Sequence, residues 1–218
     1  MSRLTQRDDP VLIWTGKAML DGVLTVPEHA AGLILIAGLG GTYHHDRVRS
    51  VATAFRQERF ATLIADLLTA DEQQFDKRTG HFRVDTRFVA SRVHDVVEWA
   101  KREPATKDLP VALFAGGSAA AACMVASRDL DLFAMAVSAP RFETVREHLA
   151  GVAIPTLLLF DHVPSLAQSG DLAKAPWVTS VITIPGVSSM LDNDLTAEAA
   201  ARESGAWFRE HAPALTER

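Results

Sequence analysis

One stretch, Val111 to Cys123, limits what this chain can fold into more than any other. It reads Val-Ala-Leu-Phe-Ala-Gly-Gly-Ser-Ala-Ala-Ala-Ala-Cys. The apolar run at its start, Val111 to Phe114, is short and shows no polar alternation, the pattern of a strand covered on both faces, as in a parallel sheet. Gly116 and Gly117 allow a sharp turn. Ala119 to Ala122 then favour helix and let that helix pack close to the sheet. Cys123 lies further along it, where a buried, inert thiol is expected.

The rest of the chain repeats this logic. Val11 to Trp14 and Leu20 to Val26 read as two short strands around Gly16 and Lys17, a hairpin ended by Pro27. Gly32 to Ala37 is a continuous apolar run, hence a buried strand, and the loop Gly38 to His45 follows it directly. Val48, Val51, Ala52 and Phe55 at i, i+3, i+4 and i+7 predict an amphipathic helix, with Asp46 as its cap. Ala61 to Ala65 is another short buried strand, with Asp66 at its carboxyl end. Leu67 to Arg83 is polar and weakly periodic, the pattern of a long loop. Val89, Val93, Val96, Val97 and Ala100 mark the inner face of a helix that Pro104 stops. Further strands are expected at Phe133 to Val137, Thr156 to Phe160 and Val178 to Ile184. A short helix is expected around Phe142 to Leu149, and a loop or short helix over Ser165 to Leu172. The last helix opens near Asn193 or Asp194 and lays Ala200, Ser204, Trp207 and Phe208 on one face. Strands alternating with helices predict an α/β fold: a mainly parallel sheet with helices on both faces and an antiparallel hairpin at its start. No repeat or linker interrupts residues 1–218, so one domain is expected.

Composition narrows the class of partner. The net charge of −5 is spread along the sequence with no Lys/Arg block, which argues against nucleic acid and against anionic membrane surfaces. One cysteine in the whole chain precludes an intramolecular disulfide and fits a reducing compartment. Charged residues at Arg3, Arg7, Asp8 and Asp9 interrupt the start before any apolar stretch forms, and no apolar run approaches membrane-spanning length. A cytoplasmic location is the expectation. No cofactor is implied.

Ligands of open α/β sheets bind outside the carboxyl ends of the strands. The positions to inspect are therefore Gly38 to His45, Asp66, Gly116 to Ser118, Ser138 to Arg141, Asp161 to Pro164 and Gly186 to Leu191. A strand, a Gly-rich turn, a Ser and a helix form the layout of a nucleophile elbow, where the helix N-terminus helps stabilise an oxyanion.

At this level the chain resembles the dienelactone-hydrolase-like branch of the α/β-hydrolase family. The resemblance is carried by Leu20-Asp-Gly-Val-Leu-Thr-Val-Pro27, Asp66-Leu-Leu-Thr69, Thr79-Gly-His-Phe-Arg-Val-Asp85, Pro104-Ala-Thr-Lys-Asp-Leu-Pro110, Pro155-Thr-Leu-Leu-Leu159, Ile184-Pro-Gly186 and Trp207-Phe208. It implies a three-layer sandwich with about seven or eight strands. It also implies where a catalytic triad would stand, and there the sequence departs from the family. Matching the elbow Gly-x-Ser-x-Gly to Ala115-Gly-Gly-Ser-Ala119 puts Gly117 at the nucleophile, with Ser118 beside it. The acid position falls on Pro164 and the histidine position on Ser189. The loop that usually reads His-Gly-x-Gly reads Gly38-Leu-Gly-Gly41. No His lies between His162 and His211, so a one-residue shift that made Ser118 the nucleophile would leave it without a base.

The remaining candidates follow from position. His44 and His45 lie in the loop over the expected pocket, where they could act as a base, bind an anion or help hold a metal; the alternative is a solvated loop. Asp161 and His162 are adjacent on extended backbone and would point to opposite faces, so they cannot both reach one ion. Ser118 at a helix start is expected to cap free N–H groups. Asp66, Arg83 and Asp85 are expected to organise the long loop by hydrogen bonds. Pocket walls are expected from Gly38, Leu39, Gly40, Gly116, Ser118, Ser188 and Met190. No metal site is expected. Together these features predict a pseudoenzyme that has lost its triad and serves in small-ligand binding or protein interaction, with a homodimer or another protein as partner. The alternatives are a triad-independent enzyme of lyase, isomerase or cyclase type using His44, His45 or Asp161, and a weak esterase-like hydrolase using Ser118.

Overall fold

The structure, a computed structural model, describes residues 8–138, 151–161, 178–185 and 194–213. Its centre is a sheet of eight strands in the order β1-β2-β4-β3-β5-β6-β7-β8. Strands β1 (Asp9–Trp14) and β2 (Met19–Thr25) form the antiparallel edge hairpin, and β2 pairs antiparallel with β4 (Ala61–Asp66). From β4 onward every pairing is parallel, through β3 (Leu33–Gly38), β5 (Val111–Gly116), β6 (Ala134–Ser138), β7 (Thr156–Phe160) and β8 (Val178–Thr183). Apolar runs with no alternation became the inner strands, because helices cover both of their faces and each side chain is buried.

On one face lie α1 (Asp46–Gln57) and the closing helix α6 (Asp194–His211). Their contact with the sheet is aromatic: Phe55 meets Phe114 edge to face at 5.0 Å and Phe208 at 5.6 Å, while Phe208 also packs on Phe60 and Phe133. The other face is covered by α4 (Thr86–Ala100) and α5 (Ser118–Ala126), whose buried residues are mostly Val and Ala. Cys123 is fully buried there, and burial pushes its thiol up to about 12, so it stays protonated at neutral pH.

Three expectations need correction. The segment Leu67 to Arg83 is not a loop: it forms α2 (Ala70–Thr79) and the short α3 (His81–Val84). Thr69 and Glu72 make a reciprocal capping box that starts α2. Asp76, buried inside it, then accepts the N–H groups of Phe82 and Arg83 at 2.7 and 3.1 Å and so folds α3 back onto α2. Asp46 does not cap α1: it is the first helical residue, and its carboxylate accepts from the Arg49 guanidinium instead. Ser118 does not cap α5, since the cap position is Gly117 and no side chain bonds there. The expected strands are present with ends shifted by a few residues; the one placed at Phe133 to Val137 runs Ala134–Ser138. The expectations for Phe142 to Leu149 and Ser165 to Leu172 lie outside the described residues.

Candidate functional site

The site is built where β3, β4 and β5 end. Register aligns Gly38 with Asp66 and Ala37 with Ala115, so the loop after β3 and the turn after β5 emerge side by side. Asp66 fixes the first. Its carboxylate, 2 % exposed, accepts the N–H of Gly41 at 2.7 Å and of Thr42 at 2.8 Å, while the Leu67 N–H donates to the Gly38 carbonyl. Gly40 passes so close to Gln73 that a Cβ would overlap the Gln73 side chain, which is why this loop needs glycine there.

The second element is the turn at Gly117. With φ 57° and ψ −128° it occupies backbone space nearly closed to other residues. Among the described residues a Cβ added there would meet nothing within 4 Å. The turn therefore holds the sharp conformation from which a side chain would stand free above the sheet, and carries none. Its N–H donates to the Ser138 carbonyl at 3.2 Å, tying the elbow to β6. Ser118 follows as the first residue of α5.

Between these elements lies a cavity of about 260 Å3, walled by Gly38, Leu39, Gly40 and Thr42 on one side and Gly116 to Ala119 on the other. His45 is also on its wall. Its ring is exposed and makes no hydrogen bond to Ser118. The wall that sequence reasoning missed comes from α2 and α3. Asp76 and Arg83 both border the cavity, joined by the Arg83 Nε to Asp76 Oδ2 bond at 2.9 Å. Burial alone would raise the Asp76 pKa, but the hydrogen bonds from Arg83 and Phe82 outweigh it and hold this carboxyl below the ordinary range. The capping box Thr69-x-x-Glu72 was the available signal, since it announces a helix that would carry Asp76 to this spot.

Other sequence candidates disperse. His44 lines a different cavity, beside the edge hairpin. Asp161 follows β7 directly and is half-buried, but is not on the elbow cavity. Asp85 caps α4 by accepting the Phe88 N–H at 3.0 Å. Asp66 organises mainly the loop after β3, and it also accepts the Gln73 Nε2 of α2 at 3.5 Å. Among the described residues no three His, Cys, Asp or Glu side chains converge as metal ligands. None of Trp14, Trp99 and Trp207 borders the elbow cavity. Pro164, Ser188, Ser189, Met190 and His162 lie outside the described residues.

No family model matches the chain. Two proteins from Mycobacterium tuberculosis strains, provisionally named phosphoribosyl transferases, are 32% identical to it over 211 residues, 94% of this chain and 47% of theirs. The chain thus spans about half the length of the curated relatives it matches. Among solved structures, a dienelactone hydrolase from Anabaena variabilis superposes with a TM-score of 0.86 at 28% identity, covering 95% of this chain and 99% of that one. An esterase domain from Rhodothermus marinus gives 0.71 at 13% identity over 95% of this chain and all of that one, a likeness of fold alone. The chain is an α/β-hydrolase-fold protein whose structural neighbours are dienelactone-hydrolase-like.

Proposed function

We propose that this chain is a pseudoenzyme of the α/β-hydrolase fold: a non-hydrolytic protein that keeps the elbow cavity for a small ligand. The observation that carries this reading is Gly117, at the apex of an intact elbow with open space where a nucleophile would stand. Among the described residues Ser118, one residue on, has no hydrogen bond to a His or a carboxylate that would make it a nucleophile at neutral pH. The sequence supports the same reading, with Pro164 and Ser189 where an acid and a histidine would stand. Preserved architecture around a missing reactive group is what binding without turnover requires.

The transferase name of the M. tuberculosis relatives belongs, in this reading, to the half of those proteins outside the match. What supports that assignment is the dienelactone hydrolase from Anabaena variabilis, which accounts for 95% of this chain and leaves no room for a second fold.

The test is turnover of p-nitrophenyl esters together with fluorophosphonate labelling. Neither is expected in the wild-type chain, whereas ligands of the cavity are expected to raise its melting temperature. Ester turnover abolished by Ser118→Ala would overturn the reading in favour of a weak hydrolase. A second reading, triad-independent catalysis, is favoured by His45 on the cavity wall. Its signature is turnover that survives Ser118→Ala and fails in His45→Ala.

A further inference from the structure

A second cavity, of about 400 Å3, lies on the α1 side of the sheet, where the edge hairpin extends past the helix. Pro10, Leu12, Val23 and Ile64 share one face of its floor through the pairs Pro10 with Val23 and Val23 with Ile64, and Asp21, opposite Leu12, interrupts this apolar strip. The apolar strip continues beyond the cavity. Trp14 pairs directly with Met19 on the same face as Leu12, and the three are 54%, 46% and 63% exposed respectively for Trp14, Met19 and Leu12.

The wall is formed by α1 and the turn before it, through Arg49, Arg56 and His44. Arg56 is the unusual member. Its side chain is only 11% exposed, yet no carboxylate hydrogen-bonds to it among the described residues. Its Nη1 and Nη2 donate to the hydroxyls of Thr62 and Thr53 at 3.2 and 2.8 Å, and its Nε is buried with no hydrogen-bond partner. The carboxylate nearby, Asp8, stops 3.9 Å from Nη1, and the same oxygen already accepts the Thr25 hydroxyl at 2.8 Å. Arg49 is exposed and spends its charge on Asp46. A guanidinium this enclosed, whose nearest described carboxylate is an Asp8 oxygen 3.9 Å away that already serves Thr25, is only partly compensated. Burial accordingly lowers the Arg56 pKa, with Asp8 opposing.

We propose that this groove binds a small amphipathic carboxylate, its head group paired with Arg56 and its alkyl part lying along Leu12 toward Trp14 and Met19. A carboxylate supplies a closer counter-charge to the two Nη groups, each of which spends one hydrogen on a threonine hydroxyl, and the tail covers apolar surface now in water. Asp8 and Asp21, both exposed, also border the cavity, Asp21 opposite Leu12, and select against polyanions. The site is separate from the elbow cavity and stands whether or not that cavity binds anything.

Octanoate is the probe, read by calorimetry and by Trp14 emission, with octanol, octylammonium and inorganic phosphate as controls. Octanoate is expected to bind, and octanol and phosphate to bind at least roughly tenfold more weakly, the worth of one charged hydrogen bond. Arg56→Gln is expected to weaken octanoate by a similar factor. Leu12→Asp, at an exposed position where folding is not at stake, is expected to do the same, while Ser118→Phe in the other cavity leaves binding intact. No octanoate binding, binding unchanged in Arg56→Gln and Leu12→Asp, loss in Ser118→Phe alone, or equal affinity for octylammonium would each overturn the proposal.

Discussion

Gly117 has a φ of 57° that only a glycine holds cheaply, and yet the space beside it is open. Among the described residues no side chain or backbone atom demands glycine here, so the expected cost of a side chain is backbone strain. Gly117→Ala is expected to lower stability by about 1–3 kcal/mol, read from urea denaturation, with no change in the fold. A loss much above that range would mean that the space is occupied. Gly117→Ser would face the same strain and would place a hydroxyl at the apex, still without a base from the described residues. The identity of this residue was legible from the sequence once the preceding strand and the following Ala-rich helix fixed the turn between them. Its conformation was not, because two glycines in succession, Gly116 and Gly117, leave the choice of which one turns to the packing around them. Asp66 shows the same limit. Its place at a strand end was readable, but the two backbone N–H groups it binds, on Gly41 and Thr42, come from 25 and 24 residues earlier in the chain.

The α2–α3 element is held by polar bonds more than by a core. Asp76 is its only buried residue, and Phe75 and Val84 remain exposed. A pattern search for apolar periodicity passes over such a segment, whereas its capping box and its C-terminal Gly80, at φ 67°, state its limits. Because hydrogen bonds depress the Asp76 pKa in the folded chain, the carboxylate contributes stability above the ordinary value of 3.8 that disappears as pH falls through the lower folded value. Asp76→Asn is therefore expected to melt below the wild type at pH 7, with the gap narrowing as pH is lowered past 3.8 in thermal scans. A gap that stays constant down to acid pH would show that the charge on Asp76 contributes nothing. Since Arg83 rests on the same carboxylate at the cavity wall, the substitution is also expected to loosen that wall.

The described residues form a sheet with unlike faces: the Ala- and Val-rich helices α4 and α5 pack on mainly aliphatic side chains, while interlocked phenylalanines lie under α1 and α6. The second face ties the end of the described chain to its middle, as Phe208 touches Phe55, Phe60 and Phe133. Phe208→Ala is expected to cost about 3–5 kcal/mol, measured by chemical denaturation. A loss under 1 kcal/mol would mean that α6 docks independently of its aromatic anchor. The small side chains of Ala119 to Ala122, all buried, let α5 lie close to β5 after the turn at Gly117. By itself the sequence determined the order of the strands and of the helices other than α2 and α3, the burial of the inner strands, and the position of the glycine turn between β5 and α5. All of these are local, written in runs and periods of neighbouring residues. Only the tertiary structure decided that His45 lines the elbow cavity while His44 lines the other, that Asp76 and Arg83 wall the first, and that Arg56 lines the second with its nearest described carboxylate, Asp8, 3.9 Å away. Those facts depend on which segments meet across a sheet whose strand order differs from chain order, and no local pattern encodes that meeting.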